Sequence, residues 1–176
     1  LPENIRLEGI PPDKVLSRML EVGEIAGLIT PNFPSTFRQG SPTVKRLFPN
    51  FKEVEMDYFR RTGIFPTMHT VVIREDVYQQ QPWVAQSLFK AFLKAKKQAS
   101  QELYEADALK ITLPWVLSEV EETRSVMGMD FWPYGVEPNR VTLEALTQYL
   151  VEQGVADRAL PPEELFAPNT LDHYRL

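Results

Sequence analysis

The chain has 176 residues, 43% of them hydrophobic, enough for one packed domain or for parts of two lobes. A net charge of -5 with 19 dispersed basic residues argues against a nucleic-acid surface, where clustered Lys and Arg must neutralise phosphates. Cysteine is absent, which excludes disulfides, thiolate metal sites and cysteine nucleophiles, and no run approaches the roughly 20 apolar residues that span a bilayer.

The first residues, Leu1-Pro2-Glu3-Asn4, lack an initiator Met and a signal-peptide pattern, and read as an internal start. Residues 5–10 read as a short strand. Asp13 reads as the cap of a helix carrying Val15, Leu16, Met19 and Leu20, which Gly23 ends, and 25–29 as a buried strand. Two strands joined by one helix imply a right-handed parallel crossover, hence an α/β class. Residues 31–49, broken by Pro31, Pro34, Gly40, Pro42 and Pro49, read as an extended loop of functional length. Arg38, Lys45 and Arg46 within it suit either an anion or plain solvation.

Residues 52–60 read as extended, and 68–73 as a nearly continuous apolar, β-branched run of the kind found in buried strands. From Pro82 onward Val84, Leu88, Ala91, Phe92, Ala95 and Ala99 recur at helical spacing, and Lys94, Lys96 and Lys97 read as its solvated face. Two more helices are expected. One spans about 115–127 and ends at Gly128; the other spans about 142–153, ends at Gly154 and carries a stripe of Leu143, Leu146 and Leu150 suited to packing on a sheet. A short turn at 163–166 follows Pro161-Pro162.

Few residues suit chemistry. His69 stands at the edge of the apolar run at 68–73, where a hydrogen-bonded structural role and proton transfer both fit; His173, near the end of the chain, reads as incidental. Arg60 and Arg61, beside Thr62, offer a guanidinium fork matched to a carboxylate, or a surface pair. Phe131-Trp132-Pro133-Tyr134-Gly135 follows a helix stop and precedes Asn139 and Arg140; its rings either line an aromatic pocket or fill a core. With two histidines far apart and no His-Glu-x-x-His spacing, no dedicated metal cage is expected.

Arg46-Leu47-Phe48-Pro49, the run YFRRTGIFPTMH from Tyr58 to His69, Pro82-Trp83-Val84-Ala85, Glu121-Glu122-Thr123-Arg124 and Asp130-Phe131-Trp132-Pro133-Tyr134-Gly135 together resemble the 4,5-dihydroxyphthalate decarboxylase family nearly end to end. Gly23-Glu24-Ile25 also fits a pattern of type II periplasmic-binding-protein folds, although Ala26 stands where many of them carry Asp. The resemblance implies part of a two-lobed α/β architecture of that type with additional C-terminal helices. Residues 1–50 would end the second lobe, 51–69 form the return crossing, and 70–176 supply the C-terminal part of the first lobe and the terminal helices. The N-terminal portion of the parent chain would be missing, which leaves the activity of such a fragment alone open.

The reaction implied is loss of one carboxylate from 4,5-dihydroxyphthalate as carbon dioxide, leaving 3,4-dihydroxybenzoate. By the same resemblance His69 supplies or relays the proton, Arg60 or Arg61 grips a carboxylate, Trp132 or Tyr134 packs on the ring, and Thr62 and Arg140 complete the substrate-binding set. No cofactor is implied, with a divalent ion left open. The expected ligand is a small aromatic dicarboxylate, the setting cytoplasmic, and a homo-oligomer compatible with it. The competing expectation is a periplasmic solute-binding protein of an ABC-type transporter for a small aromatic carboxylate, since one fold serves both functions.

Overall fold

The segment expected to be extended at 52–60 is helical. In this computed structural model, which describes residues 5–105, 107 and 110–171, helices run Leu16–Glu21 (α1), Ser35–Arg38 (α2), Phe51–Thr62 (α3), Glu75–Gln80 (α4), Trp83–Glu102 (α5), Val116–Met127 (α6), Arg140–Glu152 (α7) and Pro162–Leu165 (α8). Single 3-10 turns lie at Glu137–Asn139 and Pro168–Thr170. The chain forms two units, Leu1–Glu55 and Met56–Leu176, with the division inside α3. His173 lies outside the described residues.

The charge order along α3 explains its conformation. Glu53 occupies the first turn and Arg60 and Arg61 the last, each sign matched to the nearer end of the helix dipole. Asp57 and Arg61 also pair at i,i+4, 2.9 Å apart. These terms and the helix-forming Lys52, Glu53, Glu55 and Met56 outweigh the strand preference of Tyr58 and Phe59. The stop is built locally. The Thr62 hydroxyl donates to the Tyr58 carbonyl at 2.7 Å, and Gly63, at φ 69°, donates its N–H to the Phe59 carbonyl at 2.7 Å. A residue with a Cβ would be strained in that left-handed turn.

In the first unit α1 begins at Leu16, not near Asp13, with Val15 at the N-cap. It packs on α2 through polar side chains. The Ser17 and Ser35 hydroxyls lie 3.1 Å apart, buried Thr36 donates to the Ser17 carbonyl, and Thr43 donates to the Glu21 carbonyl. The stretch expected as a loop at 31–49 thus contains one helical turn. Its Arg46 guanidinium lies over the rings of Phe33, Phe37 and Phe51, 4.9, 5.5 and 4.4 Å from their centroids, which satisfies the charge with aromatic faces.

The second unit is arranged around α5, which begins after Pro82 as its spacing predicts. Asn169, in the last 3-10 turn, ties the region together. It accepts from the Tyr78 hydroxyl at 3.3 Å and donates to the Pro82 carbonyl at 2.7 Å. The helix ending at Gly128 is α6, its stop at φ 87°, and α7 starts two residues earlier than expected. The short turn expected at 163–166 is α8, whose first residue is Pro162.

The covered face of α5 takes in only Val84 of the expected apolar stripe. Ala85 is buried and Phe89, Leu93, Lys96 and Ser100 are half-buried, whereas Leu88, Ala91, Phe92, Ala95 and Ala99 are exposed. The expectation that Lys96 belongs to a solvated face is therefore corrected: at about 100° per residue it falls in the middle of the covered stripe.

Helices are present where the α/β reading placed most of them, but among the described residues no strand forms. The three segments expected as strands, 5–10, 25–29 and 68–73, carry no regular structure and are not buried, with Leu7 80%, Ile29 103% and Val72 86% exposed. A strand is held by the ladder it makes with a neighbour, and the described residues supply none here.

Candidate functional site

The loop at 130–135 sits between two glycines, Gly128, which stops α6, and Gly135, whose φ of 104° turns the chain toward α7. An added Cβ at Gly135 would meet the Phe89 ring at 3.5 Å, so the turn also lies close against α5. Lys96 reaches this loop from α5. Its ammonium donates to both carboxylate oxygens of Asp130, at 2.7 and 2.8 Å, and to the Trp132 carbonyl at 3.1 Å. It also lies 5.2 Å from the Tyr134 ring centroid, a cation–π distance. From the other flank the Asn139 amide donates to the Pro133 carbonyl at 2.9 Å and the Gly135 carbonyl at 2.8 Å.

The loop's rings are treated differently from its backbone. Trp132 keeps 45% of its surface exposed and meets Phe65 edge to face, centroids 5.5 Å apart at 63°. Tyr134 is half-buried under the Lys96 ammonium. Phe65 therefore joins the aromatic loop to the segment that follows α3. His69 lies four residues further on, within about 14 Å of Phe65 along a fully extended chain.

The remaining expected residues fall into two groups. Arg60, Arg61 and Thr62 form the last turn of α3. Both arginines are exposed, and on a helix they point about 100° apart, not to the opposite faces an extended chain would give. Arg61 pairs with Asp57 and lies 5.9 Å from the Tyr58 centroid; among the described residues Arg60 makes no ion pair. The Thr62 hydroxyl is used at the helix stop, where it also accepts the Ile64 N–H at 3.1 Å. His69 is exposed in the irregular segment.

Arg140 stands apart from these groups, at the start of α7. It donates to Glu137 at 2.8 and 3.0 Å and to Glu163 at 2.5 Å, with Glu144 3.6 Å away. These carboxylates compete with any substrate carboxylate for its fork. The hydrogen bonds from Glu137 and then Glu163 hold the guanidinium protonated well above its ordinary range, and the bond from Arg140 lowers the Glu163 carboxyl below its ordinary 4.5. A depressed carboxyl stabilises the fold above about pH 4.5 and loses that contribution as pH falls through its folded value. Glu163→Gln is therefore expected to flatten the loss of thermal stability between pH 5 and pH 3 relative to the unsubstituted chain. Calorimetric melting of both proteins across that range checks this.

The structure thus brings together Phe65, Trp132, Tyr134, Lys96 and Asn139, of which Phe65, Lys96 and Asn139 were not among the expected site residues. The signal for Lys96 was its spacing, seven residues after Phe89 and eleven after buried Ala85. Among the described residues no group of three or more His, Asp or Glu side chains is placed to hold a metal ion, and no helix is long and apolar enough to cross a membrane.

No protein-family model matches the chain. Over all 176 residues it is 35% identical to a Comamonas testosteroni protein named 4,5-dihydroxyphthalate decarboxylase, of which it covers 53%. A Pseudomonas putida protein with the same name is 37% identical over 60 residues, 34% of this chain and 23% of that protein. The chain therefore spans about half the length of the Comamonas relative.

Proposed function

We propose that this chain, similar along its whole length to one protein named 4,5-dihydroxyphthalate decarboxylase and over 60 residues to another, forms part of an enzyme that removes one carboxylate from 4,5-dihydroxyphthalate. The whole-chain identity of 35% carries the reading. The half-exposed Trp132 beside Phe65 fits it, because a flat aromatic acid needs a ring face to lie on.

Each carboxyl-bearing carbon of that substrate is para to a hydroxyl. Ionising the hydroxyl pushes an electron pair into the ring, and the para carbon takes up a proton. The bond from that carbon to the carboxylate then breaks, its pair restores aromaticity, and carbon dioxide departs to leave 3,4-dihydroxybenzoate. His69 is assigned the proton delivery. Arg60, the arginine without an ion pair among the described residues, is assigned the grip on the carboxylate that stays, with Arg61 beside it; Thr62 fixes the turn that presents them. Trp132 and Tyr134 supply the ring surface.

The parent polypeptide, supplied with 4,5-dihydroxyphthalate, is expected to release one carbon dioxide per 3,4-dihydroxybenzoate formed. Tight binding without release would replace this reading with that of a solute-binding protein.

A further inference from the structure

We propose that Lys96 is a positioning residue for the aromatic loop, fixing the pose in which Trp132 and Tyr134 meet an aromatic ligand; the ligand's identity rests on the decarboxylase reading. A lysine on a helix ordinarily keeps its ammonium in water while its stem lies on apolar surface. Lys96 does the reverse. Its side chain is only 15% exposed, and Nζ has three acceptor oxygens within 3.1 Å, two from Asp130 and one from the Trp132 carbonyl, matching its three donors. Withdrawing a charge from water is costly unless its bonds are satisfied, so the placement holds only while Asp130 and the loop stay where they are.

The pattern of restraint separates positioning from core filling. The loop is held by its backbone and by Asp130: Lys96 on the Trp132 carbonyl, Asn139 on the Pro133 and Gly135 carbonyls. The Trp132 ring takes no part in those bonds and stays 45% exposed. A loop serving only as a plug would bury the ring and leave its carbonyls to whatever came near. Here the carbonyls are fixed and the ring is presented. Lys96 also lies over the Tyr134 ring, so one cation sets the position of both aromatics.

The test uses the parent polypeptide with Lys96→Met, which removes the ammonium and keeps the stem, and Lys96→Arg, which keeps a cation. With 4,5-dihydroxyphthalate, Lys96→Met is expected to raise KM by about tenfold with kcat within about threefold, and Lys96→Arg to recover most of the loss, the split expected when binding geometry and not chemistry is disturbed. An unchanged KM in a folded Lys96→Met protein overturns the inference. If that variant does not fold, Asp130→Asn decides: a raised KM supports the clamp and an unchanged one removes it. A second readout needs no turnover. With every other tryptophan of that polypeptide replaced by Phe, the exposed Trp83 and Trp115 among them, Trp132 is the sole indole, and Lys96→Met is expected to lower its fluorescence anisotropy and raise its quenching by acrylamide. That change without carbon dioxide release from the unsubstituted protein would sink the decarboxylase reading and leave the positioning role standing; no change would sink the positioning role itself.

Discussion

Replacing His69 with Asn in the parent polypeptide is expected to lower turnover of 4,5-dihydroxyphthalate by about 10² to 10⁴, the usual contribution of a positioned proton donor. Binding should be retained. His69 is exposed, so its removal leaves no cavity and the melting temperature should barely move; any loss is then chemical in origin. Asn keeps a polar side chain of similar reach but carries no exchangeable proton of suitable acidity. His69 follows by four residues Phe65, whose ring meets that of Trp132. Single-turnover carbon dioxide release, measured beside equilibrium binding, separates the two effects. Undiminished release would remove His69 from the mechanism, and loss of binding with release in proportion would recast it as a substrate contact.

What could be read from the residues depended on how far each signal reached along the chain. α5 and α6 were legible because Pro82 and Gly128 act on their own neighbours. α3 was misread because Tyr58 and Phe59 suggest a strand, while the deciding terms, Glu53 at one end and Arg60 and Arg61 at the other, count only once the helix exists. The aromatic loop could be found from its composition after a glycine stop. The residue that holds it could not be found the same way, because Lys96 and Asp130 are 34 positions apart and only the fold makes them neighbours. On α5 the apolar residues were correctly seen as a stripe, but a stripe states a preference for cover and not that cover is present. The side of α5 that is covered carries Lys96 beside Ala85, Phe89 and Leu93, while Leu88, Ala91, Phe92, Ala95 and Ala99 of the stripe are exposed.

That open face leads to the second large effect: the 176 residues produced alone are expected to self-associate and to bind an apolar fluorescent dye. Within the second unit Leu88 and Phe92 of α5 and Val71 and Val72 of the irregular segment are uncovered; within the first, Ile29 and Leu47 are. Apolar side chains left open to water are unfavourable, and each Å² of them withdrawn contributes roughly 25 cal/mol toward association. The irregular segments 5–10, 25–29 and 68–73, none of them in a ladder, add a directional route, since each can take a strand from another copy. Sizing chromatography with light scattering should then show species heavier than 20.3 kDa, increasing with concentration. Val72→Lys should reduce both association and dye binding, because it places a charge on one uncovered strand-forming segment without touching a buried residue. A monodisperse monomer that binds no dye would mean that these faces need no partner, and the sheet expected at those three segments would lose its physical motive.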